Sequence, residues 1–188
     1  MPRIILLLSL AVTLAGCNQT KPTAKTEPPK TMNVRSAAFE DGQPIPTKFT
    51  EEGEDVSPPL AWDNVPEGTK ELALVCDDPD APSSEPWVHW VIYKIPATVR
   101  ELPEGLRTDA TLEKPVSALQ GKNSWPDDRT VGYRGPAPPP GKTHHYHFKV
   151  YALDRALDFQ PETDKAKLVK AMAGCILAWG ELVGTYER

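Results

Sequence analysis

The sequence lacks any cluster of lysine and arginine residues that could form a basic surface. Its 188 residues include 21 Lys and Arg against 26 Asp and Glu, which gives a formal net charge of −5. Nucleic-acid binding depends on basic side chains that neutralise the backbone phosphates. A nucleic-acid partner is therefore not expected. The length fits one globular domain with a single core better than it fits two domains.

Motifs of common hydrolases and metal sites are also missing. The sequence contains no Gly-x-Ser-x-Gly, no His-Glu-x-x-His and no Cys-x-x-Cys, which are the patterns of a serine nucleophile elbow, a zinc protease and a dithiol site. Ser83 and Ser84 occur, yet nothing beside them in the sequence predicts an activated nucleophile. These absences favour a binding protein over an enzyme, and no cofactor is predicted.

No apolar run is long enough for a membrane-spanning helix, which takes about 20 residues. Residues 4–14 are apolar except for one serine and one threonine, and they follow Arg3, as is typical of a secretory signal. The adjoining Leu14-Ala15-Gly16-Cys17 resembles the bacterial lipobox, in which the cysteine receives acyl chains such as palmitate and becomes the mature N-terminus. An ordinary secretory signal with a chance cysteine is the alternative.

A lipidated Cys17 predicts a protein of the bacterial cell envelope, because two or three acyl chains anchor a protein without crossing the membrane. Asn18 follows, and by resemblance to lipoprotein sorting rules it favours the periplasmic face of the outer membrane. The predicted boundaries are a signal peptide at 1–16, the lipidated cysteine and a flexible tether at 17–32, and one domain at 33–188. The remaining cysteines are Cys76 and Cys175. They are expected either to form a disulfide or to be two buried free thiols.

Most of the predicted secondary structure is strand. Apolar or alternating runs bounded by Gly, Pro and Asp predict strands at residues 33–39, 45–50, 71–76, 88–95 and 146–153. One helix is predicted after Thr163, its expected N-cap, and it ends at Gly174. Apolar residues at spacings of two and four then predict a last strand over residues 176–186. The predicted fold class is therefore mainly β.

Alternation along the strands separates the histidines, since successive side chains point to opposite faces. Alternate residues from His144 onward become apolar, so His144 and Tyr146 are predicted at the rim of the core face. His145 and His147 are predicted to face solvent. The run around His89 is apolar on both faces, and the residues expected on the same face as His89 are Trp87, Val91, Tyr93 and Ile95.

An acidic turn, Asp78-Pro79-Asp80-Ala81-Pro82, precedes His89 in the sequence. Its prolines remove backbone donors and restrict the residues before them, which predicts a stiff turn. An aspartate beside His89 would raise the pKa of the imidazole, and the cation could hold an anion. A core histidine bonded to a backbone carbonyl, with both aspartates in water, is the alternative. The proline- and glycine-rich residues 132–141 predict one wall of a pocket.

These motifs resemble the phosphatidylethanolamine-binding protein family, in particular its small bacterial members described as Raf-kinase-inhibitor-like. The matching segments, in family order, are DVSPPLAW at 55–62, DPDAP at 78–82, WVHW at 87–90, GYRGP at 132–136, HHY at 144–146 and GTY at 184–186. The resemblance covers the chain from about Asn33 onward. It implies a large antiparallel sheet packed on a smaller one, with peripheral helices and a shallow anion pocket. His145 stands where the family usually has arginine.

The resemblance assigns the pocket, motif by motif, to Asp78, Asp80, His89, Gly135, Pro138, His144 and Tyr146. It favours a non-enzymatic module for a small anionic or zwitterionic ligand, such as phosphate, a phospholipid headgroup or a carboxylate. His89, His144 and the Tyr146 hydroxyl are then expected to hold the anion. An envelope protein inhibited through the same pocket is a further candidate partner. The rival hypothesis is a phosphoester hydrolase or metal-dependent enzyme that uses the same Asp and His side chains.

Overall fold

The computed structural model describes residues 28–188. The predicted signal peptide, Cys17 and most of the predicted tether lie outside the described residues. The strands are β1 (Asn33–Arg35), β2 (Leu60–Asp63), β3 (Glu71–Asp78), β4 (Trp87–Pro96), β5 (Glu101–Leu102), β6 (Thr111–Leu112), β7 (Ala118–Gln120), β8 (His144–Leu153) and β9 (Ile176–Tyr186). One helix, α1 (Lys165–Met172), and a short 3-10 helix (Thr47–Phe49) complete the elements.

The strands form two antiparallel sheets, which confirms the mainly β fold class. The larger sheet has six strands in the order β6-β7-β4-β3-β8-β9, and the smaller has three in the order β1-β2-β5. The strand predicted at residues 45–50 is wrong, because Pro44 and Pro46 flank Ile45 and the chain then turns into the 3-10 helix. Proline removes a ladder donor and fixes φ, which disfavours a paired strand there.

Apolar residues fill both faces of the larger sheet. Along β3, Leu72, Leu74 and Cys76 belong to the main core cluster, which also includes Leu60 and Leu102 of the smaller sheet. Residues of β3 at the intervening positions belong to a second cluster, which includes Leu168 and Met172 of α1 and Cys175. Cys76 and Cys175 are therefore on opposite faces of the sheet, and both are buried, unpaired thiols. The disulfide alternative does not hold.

A β-bulge in β4 changes which residues share a face with His89. Cys76 pairs with Trp90, and the next residue of β3, Asp77, pairs with Val88, so His89 has no partner of its own on β3. A bulge of this kind redirects side chains. Trp90 and Tyr146 both belong to the main core, and the His89 ring packs against Tyr146. The predicted face-sharing set is therefore wrong for Val91 and Tyr93, which lie on the other face with Val88, whereas Ile95 belongs to the main core.

The last helix and strand follow the sequence pattern closely. Helix α1 begins one residue later than predicted, because the side chain of Asp164, and not Thr163, accepts the N–H of Lys167 as the N-cap. The strand predicted at residues 176–186 is confirmed as β9. Among residues 28–188, no helix combines the length and the apolar character needed to cross a membrane.

Glu71, at the start of β3, provides a test of the core. Its side chain is buried, with 5% of the residue exposed, and within residues 28–188 its Oε1 has no hydrogen-bond partner. Burial raises the pKa of Glu71, so the folded state binds the proton more tightly and stability falls as the pH rises through that pKa. We expect Glu71→Gln to raise the melting temperature by a few degrees at pH 7.

The gain from Glu71→Gln should shrink as the pH falls toward and below the ordinary pKa of glutamate. Thermal unfolding of the full chain in detergent at pH 4 and pH 7 measures this. The matched control is Glu67→Gln, because Glu67 lies in the turn just before β3 and is exposed. An equal gain at both pH values would contradict the explanation, as would a loss at pH 7.

Candidate functional site

A pocket opens at the end of the larger sheet where β3 finishes and where β4 and β8 begin. Its volume is about 220 Å³, and the residues that line it are Asp78, Ala81, Pro82, Ser83, Trp87, His89, Trp125, Ala137, Pro138, Pro139, His144 and Tyr146. Five of the seven predicted site residues are in this lining. Asp80 and Gly135 are not.

Antiparallel pairing brings these distant segments together. Asp77, next to the end of β3, pairs with Val88 of β4 on one side and with His147 of β8 on the other. The last residue of β3 is therefore level with the first residues of both neighbours. The acidic turn leaves β3 at this point, and residues 135–141 lead into β8, so both loops border the same space.

Asp78 and His144 form a buried pair at the pocket. Nδ1 of His144 lies 2.7 Å from Oδ2 of Asp78, and their side chains are only 3% and 4% exposed. The other carboxylate oxygen accepts the N–H of Asp80 at 2.8 Å. Because a carboxylate accepts, Nδ1 of His144 donates, and Nε2 is left for another partner. Asp78 therefore fixes the orientation of the His144 ring.

His89 is bonded to a carbonyl instead of a carboxylate. Its Nδ1 donates to the backbone oxygen of Arg134 at 2.7 Å, as the alternative interpretation of the sequence expected. Burial lowers the pKa of His89 to about 4, and this outweighs the opposing effects of the Arg134 carbonyl and the Asp78 carboxylate. Asp78 does raise the pKa of His89, as expected, but the expected cationic ring is wrong, because desolvation of the buried ring outweighs this effect.

Tyr146 supplies an unsatisfied polar atom. The residue is 1% exposed, and within residues 28–188 its hydroxyl has no hydrogen-bond partner. Burial raises the pKa of Tyr146 far above its usual range, so the hydroxyl keeps its proton. Its ring packs edge-on against His89, with 5.0 Å between the ring centroids. Buried hydroxyls without a partner are costly and rare, which makes this one a candidate ligand contact.

Two tryptophans form the apolar wall, and sequence reasoning did not find one of them. The ring of Trp125 lies 5.4 Å from that of Trp87 and 4.9 Å from that of His89, in edge-on geometry. The Arg134 guanidinium stacks over Trp125 at 4.7 Å. Trp125 lies in an irregular loop without any strand or helix period. The only signal in the sequence was an aromatic residue between Ser124 and Pro126, which predicts no face.

Asp80 lies outside the pocket lining and stabilises the turn at its rim. Its Oδ2 accepts the backbone N–H of His145 at 3.0 Å and the ring Nδ1–H of His145 at 2.7 Å. This hydrogen bond to the His145 ring holds the pKa of Asp80 below its usual range. His145 is exposed, as alternation predicts, so the residue that replaces the family's arginine still pairs with the acidic turn.

Gly135 has a packing role in this structure. Its N–H donates to Oδ1 of Asp55 at 2.7 Å, so this donor is not free for a ligand. A Cβ at this position would meet the carbonyl oxygen of Phe49 and lie 2.7 Å from Cα of Thr50. Gly135 is outside the pocket lining, although its backbone neighbours the His89 ring. Glycine is needed here because the loop crosses another backbone.

The pocket lining includes one carboxylate, Asp78, and two histidines, but neither lysine nor arginine. The nearby guanidinium of Arg134 is paired with Glu51 and Asp127. Among residues 28–188, no group of three or more His, Cys, Asp and Glu side chains is arranged to hold a metal ion. The arrangement offers the Tyr146 hydroxyl as a donor and the Nε2 atoms of two imidazoles whose Nδ1–H groups are already hydrogen-bonded.

Comparison with known proteins adds two family matches. Residues 35–187 match a family described as phosphatidylethanolamine-binding protein. Residues 1–18 match a prokaryotic membrane lipoprotein lipid attachment site. A relative named UPF0098 protein from Methanothermobacter thermautotrophicus is 46% identical over 157 residues, which cover 84% of this chain and 99% of the relative.

Two solved structures share the fold. One is a putative phosphatidylethanolamine-binding protein homologue from Chlamydia trachomatis, which is 38% identical with a TM-score of 0.74 and covers 85% of this chain and 99% of its own. The other is YbcL of E. coli, described as a new member of the mammalian family. It is 36% identical with a TM-score of 0.75, over 84% of this chain and 98% of its own.

The packing of Gly135 can be tested by adding one methyl group. We expect Gly135→Ala to lower the free energy of unfolding by roughly 1–3 kcal/mol, the usual cost of overpacking, because backbone atoms of Phe49 and Thr50 must move. Urea unfolding of the full chain in detergent measures the change. The control is Gly141→Ala, since a Cβ there meets nothing within 4 Å although its φ is +85°. A smaller loss for Gly135→Ala than for the control would contradict the packing role.

Proposed function

Because the chain belongs to the phosphatidylethanolamine-binding protein family, we propose that its domain is a ligand-binding module whose pocket captures a small oxyanion. Phosphate, a phospholipid headgroup and a carboxylate share this chemistry. The observation that carries the proposal is the buried, unpartnered hydroxyl of Tyr146 in the lining of the pocket. A hydroxyl in this state gains a hydrogen bond when an oxygen ligand enters.

The two imidazoles support the same proposal. Nδ1 of His144 is held by Asp78, and Nδ1 of His89 is held by the Arg134 carbonyl. Each ring is hydrogen-bonded through Nδ1, and neither Nε2 is among the fully enclosed unpartnered atoms of the described residues. Both rings line the pocket, so both Nε2 atoms are available to a ligand there.

Hydrolysis is the rival activity, since Asp78 and His144 have the geometry of a base and its orienting carboxylate. A nucleophile is what this pair lacks. Ser83 lines the pocket, yet its hydroxyl donates to the backbone oxygen of Glu85 at 2.6 Å. Binding without turnover therefore accounts for the arrangement better than acyl or phosphoryl transfer through Ser83.

The lipid attachment site makes this a lipid-anchored envelope protein. We place it on the periplasmic face of the outer membrane, on the basis of Asn18 after the lipidated Cys17. The ligand then reaches the pocket from the envelope. The domain could also act on a protein partner. In that role, an acidic terminus or a phosphate of an envelope protein would enter the same pocket, and the partner would be inhibited.

Tyr146→Phe separates ligand binding from stability. The substitution removes a buried hydroxyl that has no partner in the described structure, so the melting temperature should stay the same or rise. The affinity for inorganic phosphate and for phosphoethanolamine should fall about tenfold, as expected for one lost hydrogen bond of about 1.4 kcal/mol. Calorimetric titration of the full chain in detergent measures both ligands.

The control for Tyr146→Phe is Tyr151→Phe, which lies on the same strand but outside the pocket lining. The wild type and the control should bind phosphate equally. Turnover of a phosphomonoester by the wild type, lost in Tyr146→Phe or in a His144→Ala variant, would favour the hydrolase. Phosphate binding that Tyr146→Phe leaves unchanged would contradict the proposed pocket.

Anchoring can be tested at Cys17. We expect Cys17→Ala to remove the lipid attachment point and to shift the protein from the membrane fraction to the soluble fraction, because no other acyl anchor is predicted. Cell fractionation followed by immunoblotting measures the distribution, with Cys175→Ala as the control. A Cys17→Ala protein that stays in the membrane fraction would show that something other than the lipid holds it there.

A further inference from the structure

We propose that Asp55 is a positioning residue of the pocket, because its carboxylate holds one peptide group in the orientation that fixes the His89 ring. Asp55 is the first residue of the DVSPPLAW segment at 55–62, and it lies outside the pocket lining. It therefore acts on a ligand only through His89. The effect on ligand binding rests on the proposed function, whereas the effect on the ring does not.

The backbone of Asp55 has an uncommon conformation. Its φ is +55°, which lies in the left-handed region that residues other than glycine rarely adopt. Its side chain is only 13% exposed although it carries a carboxylate. Such a conformation persists where surrounding contacts hold it, and those contacts often belong to a functional site.

One peptide group joins Asp55 to His89. The N–H of Gly135 donates to Oδ1 of Asp55 at 2.7 Å. The carbonyl oxygen of Arg134 accepts Nδ1–H of His89, also at 2.7 Å. This N–H and this carbonyl belong to the same trans peptide bond, so they point in opposite directions from one rigid plane. Because Asp55 holds the N–H, the carbonyl is directed at His89.

This peptide plane needs a restraint because Gly135 follows Arg134. Glycine has no Cβ and occupies a wide range of backbone angles, so its own side chain does not limit rotation of the plane. The N–H of Arg134 donates to the backbone oxygen of His89 at 3.0 Å. That bond belongs to the preceding peptide group and does not fix the next one. The carboxylate of Asp55 supplies the restraint.

The orientation of the peptide decides which nitrogen of His89 carries a proton. A carbonyl that faces Nδ1 requires a proton on Nδ1, and the neutral ring then has its lone pair on Nε2. The ring is neutral near pH 7, because burial lowers its pKa to about 4. If the plane turned over, the N–H of Gly135 would face the ring and favour the proton on Nε2. Asp55 therefore selects one of two tautomers.

Both imidazoles of the pocket are then oriented by a carboxylate. Asp78 accepts directly from Nδ1 of His144 at 2.7 Å, whereas Asp55 acts on Nδ1 of His89 through one peptide group. Hydrogen bonds in such a chain polarise and strengthen one another. The lone pair on Nε2 of His89 can accept from a hydroxyl group, as in inorganic phosphate, or from an ammonium group, as in phosphoethanolamine.

Arg129 contacts the other oxygen of Asp55 and provides a matched control. Its Nη1 donates to Oδ2 of Asp55 at 2.7 Å, and its side chain is 56% exposed. Exposed ion pairs contribute little to stability. Arg129→Gln therefore removes this contact of Asp55 and leaves the hydrogen bond from Gly135 in place.

The first measurement is nitrogen NMR of the histidine-labelled full chain in detergent at pH 7, which reports the protonated ring nitrogen. Loss of signals in His89→Gln identifies those of His89. In the wild type we expect the proton on Nδ1. Asp55→Gly removes the carboxylate and suits the left-handed backbone, and it should give a mixture of both tautomers. Asp55→Asn keeps an acceptor for the Gly135 N–H and tolerates this φ, so it should restore the wild-type ring.

The second measurement is calorimetric titration of the same proteins with inorganic phosphate and with phosphoethanolamine. The apparent affinity is proportional to the fraction of molecules in the competent state. We therefore expect Asp55→Gly to lose about threefold to tenfold in affinity, in proportion to the fraction of rings that no longer carry the proton on Nδ1. Asp55→Asn and Arg129→Gln should stay within about twofold of the wild type.

A wild-type His89 with its proton on Nε2 would overturn the inference. So would an Asp55→Gly protein that melts at a lower temperature but keeps the wild-type ring and affinity, or an equal loss of affinity in Arg129→Gln. If Asp55→Gly does not fold, Asp55→Ser takes its place with the same expectations, because its oxygen is one bond shorter. A wild type that binds neither ligand would overturn the proposed function, and the ring signals would still test the role of Asp55.

Discussion

Two consecutive buried carboxylates at the end of β3 constrain the rest of the structure. Asp77 and Asp78 are 4% and 3% exposed, and an unpaired carboxylate in such a place costs several kcal/mol. Because neighbours on a strand point to opposite faces, the two cannot share a partner. Asp77 pairs with Lys149 and Lys165, while Asp78 pairs with His144. Each pairing fixes a different part of the fold.

On one face of the sheet, Asp77 needs a positively charged partner, and this need ties the helix to the sheet. Lys165 is the first residue of α1 and Lys149 lies on β8, so a single carboxylate joins three elements. On the other face, the requirement of Asp78 places the His144 imidazole at the edge of the core, beside Tyr146. The pocket therefore forms where the central strand β3 ends. Some of its polar groups are there because the buried carboxylate of Asp78 needs a hydrogen-bond donor.

Local sequence patterns predicted those structural features that depend on neighbouring residues in the chain. Alternation placed His144 and Tyr146 on the core side and His145 and His147 outside, because β8 pairs regularly along the stretch that contains them. The face of His89 was predicted wrongly, because the bulge that redirects it is a register shift between β3 and β4. No pattern within β4 alone encodes that shift.

Contacts between distant loops could not be predicted from the sequence, for a similar reason. Trp125 becomes a pocket wall only because Arg134 stacks on it and the adjacent Ser124 hydroxyl accepts the N–H of Val88 at 2.8 Å. Gly135 is required by the backbone of Phe49 and Thr50, more than 80 residues earlier in the chain. Family motifs indicate that such residues belong near a site, but they do not distinguish a ligand contact from a packing constraint.

Arg134 lies beside the pocket, yet its guanidinium is not part of the pocket lining. Its side chain is paired with Glu51 and Asp127 and stacks on Trp125, while its carbonyl holds His89 in one tautomer. This guanidinium therefore supports the aromatic wall of the pocket. An anion captured as we propose would be held by the Tyr146 hydroxyl and by the imidazoles of His89 and His144, and such hydrogen bonds are directional and short in range.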